Sequence, residues 1–378
     1  MSARTTFTLF IFLLSLTMVF AQEEPRIIPE KINDNLYLLY GGNGQGSNVG
    51  LYIGDDGLLL VDAMKDETAE RLLNVIRTIS DKPVKYVIST HADFDHAGGN
   101  SFFIERGAIV YMQENAVYEG GTGSVYFKDK LTLSMGDEII EVHATVSHSF
   151  CDALIHFKKS NVVFMGDTFT NSWYATFNSG GVEGQFEAID LALNIGNSNT
   201  TYLPGHGIPS DVAGLLSYRE TTGEWLTRVG ELYRNGVSID NMILDKELNR
   251  IKESFIDPKT GKTIPWTRLQ RFIERTISVN LMSSYPIDLK TLTKYIGIFE
   301  YKDGTQEEIY SENGKLYIRK NSSYKYIAEL IPRSKTLFHL RGGINEWVNY
   351  RFESNNVTSF EFRAGDEIAV AKKWPNGK

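Results

Sequence analysis

The sequence predicts an α/β protein followed by a helical stretch and a small all-β unit. Three observations carry this. Short apolar segments alternate with helical spacing from Asn35 to Leu203, and Asp211 to Tyr285 is mostly amphipathic helix. Beyond Pro286, short alternating segments are divided by Asp303-Gly304, Asn313-Gly314 and Gly342-Gly343, pairs that favour tight turns. At 378 residues, 42% hydrophobic and 23% charged, the chain has the composition of an ordinary globular protein of two or three domains. Its net charge of −8 gives no footing for a phosphate backbone, which argues against nucleic acid as a partner.

The elements follow in order. Leu36 to Tyr40 and Ser47 to Ile53 are strand-like and flank the turn Gly41 to Gly46, read either as a flap or as a plain hairpin. Leu58 to Val61 is a short, continuously apolar strand of the buried kind. Asp66 to Ser80 places Leu72, Leu73, Ile76 and Ile79 on one helical face. Val84 to Ile88 is another buried strand, running into Ser89-Thr90-His91. Strands are expected again at Ala108 to Met112, Ile139 to Ala144, Ala153 to Phe157, Val162 to Met165 and Tyr202-Leu203, with a helix from Gln185 to Ile195.

The first twenty-one residues stand apart. Arg4 is their only charge, Phe7 to Met18 is an almost unbroken apolar run, and Val19-Phe20-Ala21 precedes a polar stretch. This is the order of a secretory signal cleaved after Ala21, and the run is shorter than the ~20 residues a spanning helix needs. The expectation is a secreted or periplasmic protein without a stable membrane anchor. The domains are expected at 1–21 (signal), 22–285 (the α/β unit with its helices) and 286–378 (the all-β unit). One cysteine, Cys151, excludes an internal disulfide and reads as a buried, inert thiol.

Two of the seven histidines fall within His91-Ala92-Asp93-Phe94-Asp95-His96, at a strand end and just before Gly98-Gly99. Imidazole nitrogen and carboxylate oxygen both bind zinc, so this cluster points to metal. Three more candidates sit at or beside the ends of apolar runs: His148, Asp167 after Met165-Gly166, and His206 within Pro204-Gly205-His206-Gly207. His143 and His156 lie inside apolar strands and read as structural.

Thr90 to Asn100 resembles the metal-binding signature of the metallo-β-lactamase superfamily, His-x-His-x-Asp-His followed by Gly-Gly. Val61-Asp62, Ser147-His148 through Asp152, Gly166-Asp167 and Pro204 to Gly207 match its other motifs in order. The resemblance covers roughly Asn35 to Leu216. It implies a four-layer αββα sandwich and two zinc ions. His91, Asp93 and His148 would hold the first, and Asp95, His96 and His206 the second. Asp167 would bridge them, Asp95 would also count as catalytic, and Asp62 would hold the ligand-bearing loop from behind. The implied activity is hydrolysis of a small-molecule substrate by a metal-bound hydroxide.

The sequence departs from the family at position 93, where aspartate replaces the usual histidine. An extra carboxylate should weaken the Lewis acidity of the first metal, and oxygen ligation brings manganese or iron into range. Trp173, Tyr174 and Asn178 follow Asp167 and are candidates to line the substrate pocket. Export favours a small ester, lactone or amide, in the manner of a β-lactamase. The alternatives are a lactonase, arylesterase or phosphodiesterase, or a binding protein that keeps the fold with weakened catalysis.

Overall fold

A computed structural model describes residues 26–42, 44–256, 261, 264–320, 326–343 and 346–374. The expected signal at 1–21 lies outside them. A first sheet is laid down in chain order: β1 (Ile28–Lys31), β2 (Leu36–Tyr40), β3 (Val49–Ile53), β4 (Leu58–Val61), β5 (Val84–Ile88), β6 (Ile109–Gln113) and β7 (Val125–Phe127). The pairing is antiparallel from β1 to β4 and parallel from β4 to β7. Parallel neighbours need a crossover, and α1 (Ala69–Arg77) and α3 (Asn100–Ile104) supply it, with the single turn α2 (Phe94–Ala97) between them.

The second sheet contains β8 (Lys130–Met135), β9 (Glu138–Thr145), β10 (Asp152–Phe157), β11 (Val162–Phe164) and β12 (Thr201–Leu203), in the order β12-β11-β10-β9-β8. The helix α4 (Gly181–Ile195) joins β11 to β12, which pair in parallel.

Each sheet has two apolar faces, so four layers are the way to cover them. Leu38, Leu59, Ile88, Val142, Ile155 and Phe164 fill the space between the sheets. Leu72, Ile76 and Phe103 of α1 and α3 cover the first sheet. The outer face of the second is covered by α4, α5 (Val212–Arg234), α6 (Ile239–Met242), α7 (Lys246–Lys252) and α8 (Trp266–Thr276). Trp225 anchors this layer. It is fully buried, stacks on Phe272 with centroids 4.1 Å apart, and donates from its indole to Thr276 Oγ1. No helix among the described residues is long and apolar enough to cross a membrane.

After the short α9 (Leu289–Leu292) come eight strands: β13 (Gly297–Tyr301), β14 (Gln306–Glu312), β15 (Lys315–Lys320), β16 (Tyr326–Pro332), β17 (Leu337–Leu340), β18 (Glu346–Glu353), β19 (Asn356–Ala364) and β20 (Glu367–Lys373). They form an antiparallel barrel closed by β13 against β20, which removes the sheet edges. Asn313 and Gly314 both have positive φ, +50° and +75°, which is what the two-residue turn between β14 and β15 requires. Tyr295, Phe299, Phe338, Tyr350 and Phe360 pack the interior, so it is a core and not a channel.

The barrel is tied to the helical layer by His339 of β17. Ser278 Oγ donates to Gly343 O, so His339 Nε2 donates to Ser278 Oγ, 2.8 Å away. Burial pushes the His339 imidazole down to about 4. It is therefore neutral in the folded chain, while the unfolded chain takes up a proton below about pH 6.5. Stability is fully present above that value and is lost as pH falls towards 4. Folding stability should fall across this window, by up to roughly 2–3 kcal/mol from this group, and the melting temperature with it. In His339→Gln the drop should be visibly shallower; an unchanged slope would remove His339 from the account.

Candidate metal centre

The centre lies where strands of both sheets stop. His91 stands three residues beyond β5. Asp93 is the residue before α2, and Asp95 and His96 lie in that turn. His148 sits between β9 and β10, Asp167 after β11, and His206 after β12. Backbone bonds carry the α2 turn into place: Ala63 N donates to His96 O, and Ser47 N to Asp95 O.

Three overlapping groups result: His91, Asp93 and His148; Asp95, His96 and His206; and His91, His96 and Asp167. In each, one ligand atom per residue lies within 4.8 Å of the others. Asp93 Oδ2 is 3.1 Å from His148 Nε2 and 3.6 Å from His91 Nε2. Asp95 Oδ2 is 3.3 Å from His206 Nε2. Asp167 Oδ1 reaches both sides, 3.3 Å from His96 Nε2 and 3.6 Å from His206 Nε2. All seven residues that sequence placed at the metals thus come together.

The donor set fits divalent cations on two counts. His91 Nε2, His96 Nε2 and Asp167 Oδ1 are buried and make no well-formed hydrogen bond, a costly arrangement unless something binds them. The ring orientations agree. His96 Nδ1 faces Asp62 Oδ2 at 2.8 Å, and His148 Nδ1 faces Thr176 O at 3.0 Å. Both partners only accept, so Nδ1 carries the proton and the Nε2 lone pair points to the cluster.

The local field favours positive charge. Burial alone would push the His148 imidazole down, but Asp93 beside it holds it up to about 10. Burial would likewise lower His96, yet Asp62 and Asp167 raise it well above its ordinary value. Burial would raise the carboxyls of Asp93, Asp95 and Asp167, and the neighbouring histidines hold all three low. The centre is open on one side, with side chains 53% exposed at Asp93 and 31% at His206, against 1% at His91.

Buried groups behind the ligands fix their positions. Asp62 accepts from Thr90 N at 2.7 Å and from Thr90 Oγ1 at 2.8 Å, as well as from His96. It does so from a φ of +65°, a region aspartate tolerates better than most residues. Asp152 accepts from Ser147 N and Ser149 N and so shapes the loop that carries His148. Asn48 donates to Pro204 O and Gly207 O, clasping the loop of His206. A Cβ at Gly205 would lie 2.2 Å from Asp167 Oδ1, so only glycine lets this loop approach the bridging carboxylate.

The turn Gly41 to Gly46 is tied down at its described residues: Gly44 O accepts from Lys65 Nζ, and Gln45 O from Thr68 Oγ1. Residue 43 lies outside the description. Cys151 is buried, and burial pushes its thiol well up. His143 and His156 lie within β9 and β10 as expected.

A cavity of about 600 Å³ opens beside Asp93, and Trp173, Tyr174 and Asn178 do not line it. Trp173 borders a separate pocket with Phe169 and Tyr218, and Tyr174 stacks on Phe272 at 4.3 Å. Asn178 meets the barrel, its carbonyl oxygen lying 2.8 Å from where a Gly342 Cβ would stand. The cavity is lined instead by Phe94, the 119–122 segment, Tyr326 and Ile327. Phe94 could have been found from sequence, as an aromatic in the signature that no core needs; it is 68% exposed. Glu119 and the two barrel residues carry no motif.

Residues 42–181 match the family described as the metallo-beta-lactamase superfamily. Over 206 residues the chain is 28% identical to a protein of Schizosaccharomyces pombe named probable hydroxyacylglutathione hydrolase, the match spanning 51% of this chain and 76% of that protein. It is 33% identical over 100 residues to an N-acyl homoserine lactonase of Bacillus sp, which spans 25% of this chain and 38% of the lactonase. Among solved structures, a sec-alkylsulfatase from Pseudomonas sp. shares the fold at a TM-score of 0.50 and 12% identity, covering 78% of this chain and 76% of the sulfatase. The chain is thus similar to the metallo-β-lactamase superfamily over residues 42–181, and these likenesses support a metal-dependent hydrolase.

Proposed function

We propose that the chain is an exported hydrolase that uses two divalent ions to open a small ester, lactone or amide. The observation that carries this reading is the set of three ligand groups in which His91 and His96 each link the group containing Asp167 to one of the other two. His91, Asp93 and His148 would hold one ion, Asp95, His96 and His206 the other, and Asp167 would serve both. Zinc is the first candidate, with manganese or iron admitted by the oxygen-rich donor set. Divalent ions held there supply Lewis acidity, making water a competent nucleophile near neutral pH and polarising the bond it attacks.

The chain's own residues do the rest. Asp62 keeps the His96 lone pair aimed inward, and Thr176 O does the same for His148. The exposed carboxylate of Asp93 lies on the cavity side, where the substrate enters. Three aspartates in the donor set soften the net charge of two divalent ions, so the attack is driven by a weaker acid than in an all-histidine first site. The composition of residues 1–21 supports export, and the lactonase likeness supports an acyl substrate.

Three experiments test this. Protein purified without added metal should carry two equivalents per chain by elemental analysis, and one or none would sink the two-ion reading. His96→Ala should abolish turnover on a panel of esters, lactones and β-lactams while the circular dichroism spectrum is kept; retained turnover overturns the assignment. Asp62→Asn separates positioning from ligation. Its amide would present a donor to His96 Nδ1, forcing the other tautomer, so metal affinity should fall about 10- to 100-fold in competition with a chelator. An unchanged affinity would show that Asp62 does not orient the ligand.

A further inference from the structure

The cavity beside Asp93 is not made by the sandwich alone. Its far wall is Tyr326 and Ile327 of β16, more than 200 residues along the chain from the ligand loop. The barrel reaches it through the outward faces of β14, β15 and β16. Arg319 lies across from Ile327 in the register, and its guanidinium sits 4.3 Å over the ring of Tyr118, next to Glu119. Tyr317, on the same face, meets Phe150 edge-on at 6.0 Å, two residues from His148. Aromatic and cation–π contacts of this kind are directional, so they fix the barrel in one seat against the two loops that border the centre.

Alternation along β16 sorts its first two residues. Tyr326 turns its hydroxyl to Glu307, 2.8 Å away, and packs on Phe362. Ile327, its neighbour, turns the opposite way, toward the sandwich. The cavity therefore meets an aliphatic side chain from the barrel, with exposed Phe94 and small residues on the sandwich side. Among the described residues, its lining includes Asp93 and Glu119 and no lysine or arginine. Such a lining gives an apolar group somewhere to lie.

Resting on the hydrolase reading above, we propose that the C-terminal barrel completes the substrate site. Ile327, with Phe94, forms a subsite for an uncharged acyl or aryl group on the ester or lactone. The barrel is then a specificity element built into the enzyme.

The full-length, metal-loaded protein tests this with p-nitrophenyl acetate, p-nitrophenyl octanoate and a carboxylate-bearing chromogenic β-lactam. The octanoate ester should show the highest kcat/KM. Ile327→Ala and Phe94→Ser should each lower the octanoate-to-acetate ratio of kcat/KM about tenfold. Ile327→Trp should lower it further by filling the subsite. Ile298→Ala, exposed on β13, serves as the control on the same barrel. Phe94→Ser alters an exposed side chain and covers the case in which the Ile327 variants fail to fold. Ratios unmoved in active variants overturn the subsite. If the wild type hydrolyses nothing, the hydrolase reading falls, and the subsite is then read from calorimetry with octanamide, using octanoate as the anionic control. Octanamide binding that Phe94→Ser abolishes supports the subsite; no binding, or equal binding of octanoate, overturns it.

Discussion

The carboxylate of Asp62 joins parts of the molecule that would otherwise have no reason to hold together. It stands just beyond β4 and accepts from the backbone and hydroxyl of Thr90 beyond β5, and from His96 in α2. A buried carboxylate is expensive unless it is fully bonded, and charge-assisted bonds of this kind are worth about 1.5–3 kcal/mol each. Their effect is to lock the strand end, the ligand loop and one imidazole tautomer at once. His91 and Asp95 are carried by the same loop, so their positions follow from this clasp, and Asp167 finds its partners only because His96 is already in place.

Without bound ions the centre would work against folding. Buried nitrogens at His91 and His96 and a buried oxygen at Asp167 lack good hydrogen bonds, and each such group costs about 1–3 kcal/mol. Ion binding repays this directly, so metal affinity and fold stability are coupled. It also explains why glycine is needed where loops crowd the centre. At Gly205 even a methyl group would strike Asp167, and at Gly166, with φ +53°, it would strike Thr90. The loops are spaced for ligands and leave no room for side chains of their own.

Much of this was legible in the sequence, for physical reasons. Buried strands such as β4 and β11 are continuous apolar runs, and ligands follow strands because strand ends are where polar groups can converge. The Asn313-Gly314 turn was legible because few other pairs accept two positive φ values. What escaped was structure without an apolar signature. β1 is exposed at all four residues and includes Pro29, so no hydrophobic pattern marks it. The four-residue α2 and the five-residue α3 are too short for periodicity to show. Trp173 and Tyr174 looked like pocket residues because they are aromatic and follow Asp167, but a nearby core, centred on Phe272 and Trp225, draws Tyr174 away. Sequence distance misleads in both directions, since two of the residues that do line the cavity come from a strand beyond position 325.

The barrel shows why a unit without chemistry of its own can still matter to the reaction. Its interior is filled with aromatic side chains, so it has no room to bind a ligand there. Its value lies on the outside, where a rigid, closed surface can be held at a fixed distance from the metal loop. A loop could supply the same side chains but would spend ordering entropy to do so, whereas strands of a closed barrel are ordered in advance. Phe150 and Tyr118, which seat the barrel, lie close in sequence to His148 and Glu119. The contacts that dock the barrel therefore also hold the rim of the site. In such an arrangement specificity can change through β16 while the ligand set stays constant, because the wall and the metal loop share a boundary but no residue.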